Sequence, residues 1–220
     1  MKRRNEPELM DEASQVAAYA LADFEEPNNR FLEIFRSTFP EKHMPGSILD
    51  LGCGPGDILA RFAESYPECS CLGVDGSGKM LDFARNFIAQ QGLDERVDFV
   101  MAKIPTDKLL DDAYDVILSN SLLHHLSDPD DLWRSVKRYG RKECRVLVVD
   151  LLRPETEDEA QKIVHRYAAN EPDILQHDFF YSLLAAYTLD EVKQQLDKAE
   201  LHRLSLEQIS DRHWAVKGKL

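Results

Sequence analysis

Apolar and polar positions along the chain alternate between short strand-like runs and longer helix-like stripes. Two stripes come first, over 9–25 and 27–39. Val16, Tyr19, Ala20 and Phe24 lie at mixed helical spacings in the first, and Phe31, Ile34 and Phe35 form a clearer amphipathic face in the second, with Pro27 interrupting between them. Apolar runs then recur at 47–51, 71–75, 97–101, 112–120 and 144–154. Helical spacing follows the first through Ile58, Leu59, Phe62 and Ala63, and the second through Leu81, Phe83, Ala84, Phe87 and Ile88, where Gly92 closes the helix. After the fourth run it returns at Leu132, Trp133 and Val136. Five β–α units in order predict an α/β fold with a doubly wound, mostly parallel sheet and right-handed crossovers. The repeat is interrupted over 155–187 by an acidic start, a helical stretch and a polar-aromatic segment. Thr188 then reads as an N-cap with Asp190 and Glu191 in the first turn of a helix running to Leu201. Strands at 204–209 and 213–217, joined by Asp211-Arg212-His213, complete a seven-stranded sheet with an antiparallel C-terminal hairpin. His213 is expected in solvent at that turn. The chain reads as one domain over 1–220, with 1–45 as a helical cap and 155–187 as a lid-like insertion.

Composition narrows the partners. The chain has 220 residues, 43% hydrophobic and 30% charged, as expected of a globular domain with a substantial core. Lys and Arg number 27 against 40 Asp and Glu, a formal net charge of −13. Such a surface repels phosphate backbones and disfavours a nucleic-acid substrate. The basic run at 137–142 reads as the C-terminal end of a helix, with Gly140 as its cap. Basic residues near Met1 precede no apolar segment, and no run of about 18 apolar residues occurs. A cytoplasmic protein with no membrane contact is expected. Cys53, Cys69, Cys71 and Cys144 contain no C-x-x-C pair and no partner at a metal-ligand spacing, so they read as reduced packing residues and no metal site is expected. No sequence feature assigns an oligomeric state.

Candidate chemistry centres on the end of the first strand, where Asp50-Leu51-Gly52-Cys53-Gly54-Pro55-Gly56 carries glycines at every second position. Glycine lets backbone lie against a ligand and offer its N–H groups. Dinucleotide folds use G-x-G-x-x-G to hold a pyrophosphate. Here the spacing differs, and Asp50 would repel a pyrophosphate but suits a cation. This stretch resembles motif I of the class I S-adenosylmethionine (SAM)-dependent methyltransferases, whose cofactor carries an ammonium and a sulfonium and no phosphate. The second strand ends at Asp75, where a carboxylate would accept both ribose hydroxyls. Gly76-Ser77-Gly78-Lys79-Met80-Leu81 resembles the family's following helix start. The family often has an acid just past the third strand that accepts from the adenine amino group, but Ala102-Lys103-Ile104-Pro105 stands there and lysine cannot accept. A backbone carbonyl or Asp98 is left to take that contact.

The fourth strand and its sequel, Asp112 to Asn120 and then Ser121-Leu122-Leu123-His124-His125-Leu126-Ser127-Asp128-Pro129, resemble motif IV and the "L-H-H-L-x-D-P" of many small-molecule methyltransferases. The resemblance implies a Rossmann-like fold, SAM as methyl donor and S-adenosylhomocysteine (SAH) as product. Cofactor contacts are then expected from Asp50, Gly52, Cys53, Gly54, Gly56, Asp75, Gly76, Met80, Lys103 and Asn120, with Met101 as a further candidate at the adenine. Two adjacent histidines on a helix point in different directions, and the motif places His124 nearer the strand end as the base. Substrate contacts are expected from Tyr19, His125, His177 and Tyr181, with Asp23, Phe24, Asn28, Asp178 and Tyr187 as further candidates in the cap and lid. Phe179, Phe180 and Leu183 are expected to pack inward. No N-P-P-[YF] motif follows the fourth strand, which together with the acidic surface favours a small-molecule acceptor. The rivals are a non-catalytic or non-methylating SAM-binding protein and, disfavoured by the glycine spacing, a nicotinamide-dependent oxidoreductase.

Overall fold

The computed structural model describes residues 1–6, 13–22, 24–41 and 43–220. Helices α1 (Ala13–Leu21) and α2 (Glu25–Thr38) precede β1 (Gly46–Leu51), α3 (Asp57–Ser65), β2 (Cys69–Asp75), α4 (Gly78–Gln90), β3 (Val97–Met101) and β4 (Tyr114–Asn120). A single 3-10 turn, Leu123–His125, leads into α5 (Asp130–Tyr139) and β5 (Gly140–Leu151). The chain continues through α6 (Glu157–Ala168), α7 (Asp173–Ala185), α8 (Leu189–Lys198), β6 (Leu204–Gln208) and β7 (His213–Lys219). The seven strands form one sheet in the order β3-β2-β1-β4-β5-β7-β6. The first five are parallel, and β7 runs antiparallel to both neighbours.

Period-two alternation divides the strands between two cores. Ile48, Val116, Leu118, Leu147, Val149 and Ala215 face α2, α3 and the end of α4, where Phe31, Phe35, Phe62 and Tyr66 pack edge to face or tilted. Their neighbours Leu49, Ile117, Val146, Val148 and Val216 face α5 and α8, with Trp133 and Trp214 fully buried among them. The Trp133 indole N–H donates to Gln195 at 3.0 Å and joins those two helices. A third, smaller core packs α6 and α7 on Leu151. Leu183 lies inside it, and Phe179 and Phe180 are partly buried against it.

Several boundaries differ from the sequence reading. Pro27 does not separate the two N-terminal helices but sits in the first turn of α2, where a missing N–H leaves no helical bond unmade. Gly140 is extended rather than a left-handed cap, because β5 begins directly after α5. A Cβ there would meet Leu220 at 2.5 Å, so close packing of the chain end explains the glycine. The basic run beside it is paired with acids: Lys137 with Glu200, Arg138 with Asp107 and Asp111, Arg141 with Asp115. His213 lies at the start of β7, half-buried, with Nδ1 3.1 Å from Ser210 Oγ, and burial first, then Arg212, lowers its pKa to about 4. It is therefore not a solvent histidine. No described helix is long and apolar enough to cross a membrane.

Candidate active site

In open parallel sheets the crevice forms at the carboxyl ends of the strands, and here it lies beside β1, at the centre of the order. A cavity of about 230 Å³ opens there among the ends of β1, β2 and β4. The glycine loop is pinned to β2 by Gly52 N–H and Cys53 N–H, which donate to the Val74 carbonyl at 2.8 and 3.1 Å. Gly54 is left-handed (φ 51°) and donates its N–H to Asp75 Oδ2 at 2.9 Å, and the other Asp75 oxygen accepts from Ser77 N–H at 2.8 Å. A Cβ on Gly54 would meet no atom within 4 Å, so this peptide presents bare backbone on the cavity side. Gly73 in β2 serves packing instead, since a Cβ there would lie 2.7 Å from Cys53 Sγ and from Phe99.

The charges around this loop are acidic. Asp50 is 2% exposed, and burial, with the nearby Asp75 charge adding to it, pushes its pKa up to about 7. Burial likewise raises Asp75, against the hydrogen bonds from the Ser77, Gly54 and Gly76 backbones. Tyr19, on α1 over the cavity, is pushed up to about 12 by burial and then by Asp75 and Asp150. The buried Asp50 and the partly buried Asp75, both with raised pKa values, make a poor site for a pyrophosphate and a good one for a positively charged ligand.

The cavity wall includes Gly52, Gly54, Asp75, Gly76, Met80, Lys103 and Asn120, together with Tyr19 and His125. Asp50, Cys53 and Gly56 are not on the wall. Asp50 is buried behind the loop, the Cys53 side chain packs on Gly73, and Gly56 begins α3 at a left-handed φ of 86° with Ala84 of α4 3.1 Å from where its Cβ would be. Met101 is 54% exposed and off the wall, and Asp98 is exposed near the start of β3 rather than its carboxyl end, so it is not brought to the adenine side. Asn28 is also elsewhere, donating to Asp57 Oδ1 at 2.7 Å across α2 and α3. Phe24 packs on Tyr19 with ring centroids 4.8 Å apart, and Asp23 lies outside the described residues.

Of the two histidines, the structure brings His125 and not His124 to the cavity. Their rings pack on each other with centroids 4.2 Å apart, and His124, 2% exposed, is held with Nδ1 2.5 Å from Asp150 Oδ1 and Nε2 3.4 Å from Glu6 Oε1. Burial opposes charge on that ring, yet Asp150 and Glu6 raise its pKa, and His124 in turn holds Asp150 below its ordinary value. His177 and Tyr181 stack on each other at 4.6 Å on the exposed side of α7, away from the cavity. Asp178 accepts from Gln15 of α1, and Tyr187 is covered by the Arg3 guanidinium at 4.1 Å. Sequence reasoning missed Ser121, Leu122, Leu126 and Asp131 on the wall, and Glu6 and Asp150 behind it. The rule that flagged Asp75, an acid closing a strand, would also have found Asp150. No local pattern marks Glu6.

Comparison with known proteins agrees on one family. A family model described as "Methyltransferase domain" matches residues 42–205. An uncharacterized methyltransferase, YcgJ of Bacillus subtilis, is 26% identical over 148 residues, covering 67% of this chain and 57% of its own. The malonyl-[acyl-carrier protein] O-methyltransferase of Legionella pneumophila is 30% identical over 155 residues, covering 69% and 53%. The chain thus spans about half the length of the curated relatives it matches. Among solved structures, a SAM-dependent methyltransferase from Aquifex aeolicus superposes with a TM-score of 0.63 at 17% identity, covering 96% of this chain and 94% of that one. That likeness is one of fold.

Proposed function

The chain belongs to the methyltransferase-domain family, and from that premise we propose that it transfers a methyl group from SAM to a small-molecule acceptor. The observation that carries the reading is the pairing of Gly54, with its open backbone, and Asp75 on the cavity wall, backed by the buried Asp50. Asp75 would hold the ribose, because a carboxylate that accepts two N–H groups keeps lone pairs for two hydroxyls. Asp50 and the glycine loop would favour the cationic methionine part. Val74, Met80, Ala102 and Ile104 supply an apolar wall suited to adenine, and a backbone carbonyl there would take the amino group that Lys103 cannot. When bound, SAM supplies an electrophilic methyl on its sulfonium.

On the β4 side of the cavity, Asn120, Ser121, Leu122, His125 and Asp131 face the remaining space, and Tyr19 covers it. These groups would orient the acceptor and exclude water. Orientation can supply much of the rate for a reactive donor, so a protein base is required only where the acceptor must lose a proton. His124 does not reach the space, and His125 is the imidazole on the wall. The small cavity, the net charge of −13 and the pairing of the basic run with acids support a metabolite rather than a nucleic acid. Four buried thiol cysteines support a reducing compartment such as the cytoplasm. The test is methyl-labelled SAM incubated with the protein and a fractionated cell extract. Label should enter a dialysable product that separates from SAM by chromatography. Label confined to RNA, DNA or protein contradicts the acceptor class.

A further inference from the structure

Beside the cavity, behind His125, three side chains from distant parts of the chain converge. The segment 1–6 crosses the molecule in a fixed path. Arg4 N–H donates to the Leu184 carbonyl at 3.0 Å, and the Arg3 guanidinium donates to the carbonyls of Ala185, His124 and Leu126 at 2.5, 2.9 and 3.3 Å. Glu6 is thereby delivered to the histidine pair. Its Oε1 lies 3.4 Å from His124 Nε2 and 3.1 Å from His125 Nδ1, and these donor atoms all lie within 4.8 Å of one another.

We propose that Glu6, His124 and His125 bind a first-row divalent cation of the zinc or iron(II) class. Four observations support the site. Bonds of about 2.0–2.1 Å in a tetrahedral set place neighbouring donor atoms about 3.3 Å apart, which is the spacing found between Glu6 and each imidazole. His124 has its Nδ1 on Asp150 at 2.5 Å, the carboxylate–histidine arrangement that fixes a ring with Nε2 free to ligate. All three side chains are 18% exposed or less, so the donors are already ordered and largely dry. Two imidazoles and one carboxylate suit zinc or iron(II), whereas magnesium and calcium take oxygen ligands.

Three protein ligands leave a coordination position for water or for an oxygen or sulfur atom of an acceptor. Of the three, only His125 lines the cavity, so the cation would sit one imidazole ring behind the space assigned to the acceptor. An acceptor atom that reached the open position would have its pKa lowered without a protein base. This role, though not the binding itself, rests on the methyltransferase reading. Asp150 acts through His124 and is a positioning residue.

The experiment uses the tag-free 220-residue chain loaded with zinc, dialysed and analysed for bound metal, with cobalt(II) substitution read by visible absorption. Wild type should retain about one zinc per chain. Glu6→Gln and His125→Asn, each verified as folded by circular dichroism, should lose it. His202→Asn, on the surface, should retain it, and Asp150→Asn should weaken binding about 10–100-fold. SAH titration of the same samples separates the two readings. Zinc retention without SAH binding supports the metal site and overturns the cofactor assignment, whereas SAH binding by a wild type that holds no zinc overturns the metal site alone. Full zinc retention in both Glu6→Gln and His125→Asn also overturns it.

Discussion

At the scale of single residues, the acids of the glycine loop carry the most direct consequence. Asp50 keeps its proton in the folded chain up to a pKa of about 7, raised from 3.8. The unfolded chain loses that proton earlier, so this residue makes stability fall as pH rises from about 4 to about 7, by about 1.4 kcal/mol per pH unit at most. A cationic ligand favours the ionised form, so SAM binding at pH 6 should release about one proton from wild type and none from Asp50→Asn, read by calorimetry in buffers of different ionisation enthalpy. Equal release from both proteins contradicts this. His213 has the opposite sign. Its folded pKa of about 4 lies below the ordinary 6.5, so stability falls as pH drops through that window. Urea melts should show a loss of up to about 3 kcal/mol between pH 6.5 and 4 that His213→Gln does not share. Asp75 and Gly54 were legible in the sequence because strand-end position and glycine spacing are local signals. The choice between His124 and His125 was not, because it depends on Asp150 and Glu6, which only the folded chain brings together.

Among elements, the central strands were legible as short apolar runs buried on both faces, and the helices α3, α4, α5 and α8 because each has one buried face with a clean period. The α8 start was plain for a further reason: Thr188 and Glu191 form a reciprocal capping box. What escaped was set by neighbours. Gly140 looked like a helix cap, but packing of Leu220 and pairing with β4 draw the chain straight into β5. The segment 1–6 has no periodic pattern at all and gains its path from carbonyls at the ends of other elements. Arg3 anchors it, and charged hydrogen bonds to three carbonyls exceed what water restores when the guanidinium is removed. Arg3→Ala should therefore cost about 2 kcal/mol in urea unfolding and speed amide exchange around His124–Leu126. Unchanged exchange there would mean that the segment does not hold the turn.

The molecule as a whole joins an orderly sheet to an acidic crevice. Strand order β3-β2-β1-β4-β5-β7-β6 places the ends of β1, β2 and β4 together, and the loops at those ends carry Gly54, Asp75 and Asn120 to one cavity. The order of β–α units was readable from the chain, whereas the wall contributed by α1 and by the turn after β4 depended on how helices settle over the sheet. The net charge of −13 and the two loop acids favour a cationic donor over a dinucleotide. Parallel calorimetric titration with SAM, SAH and NAD, on wild type and on Asp75→Ala, tests that claim most directly. Micromolar binding of SAM and SAH, none of NAD, and at least a tenfold (about 1.4 kcal/mol) loss in Asp75→Ala are predicted. Binding of NAD alone, or SAH affinity unchanged by Asp75→Ala, would contradict the account.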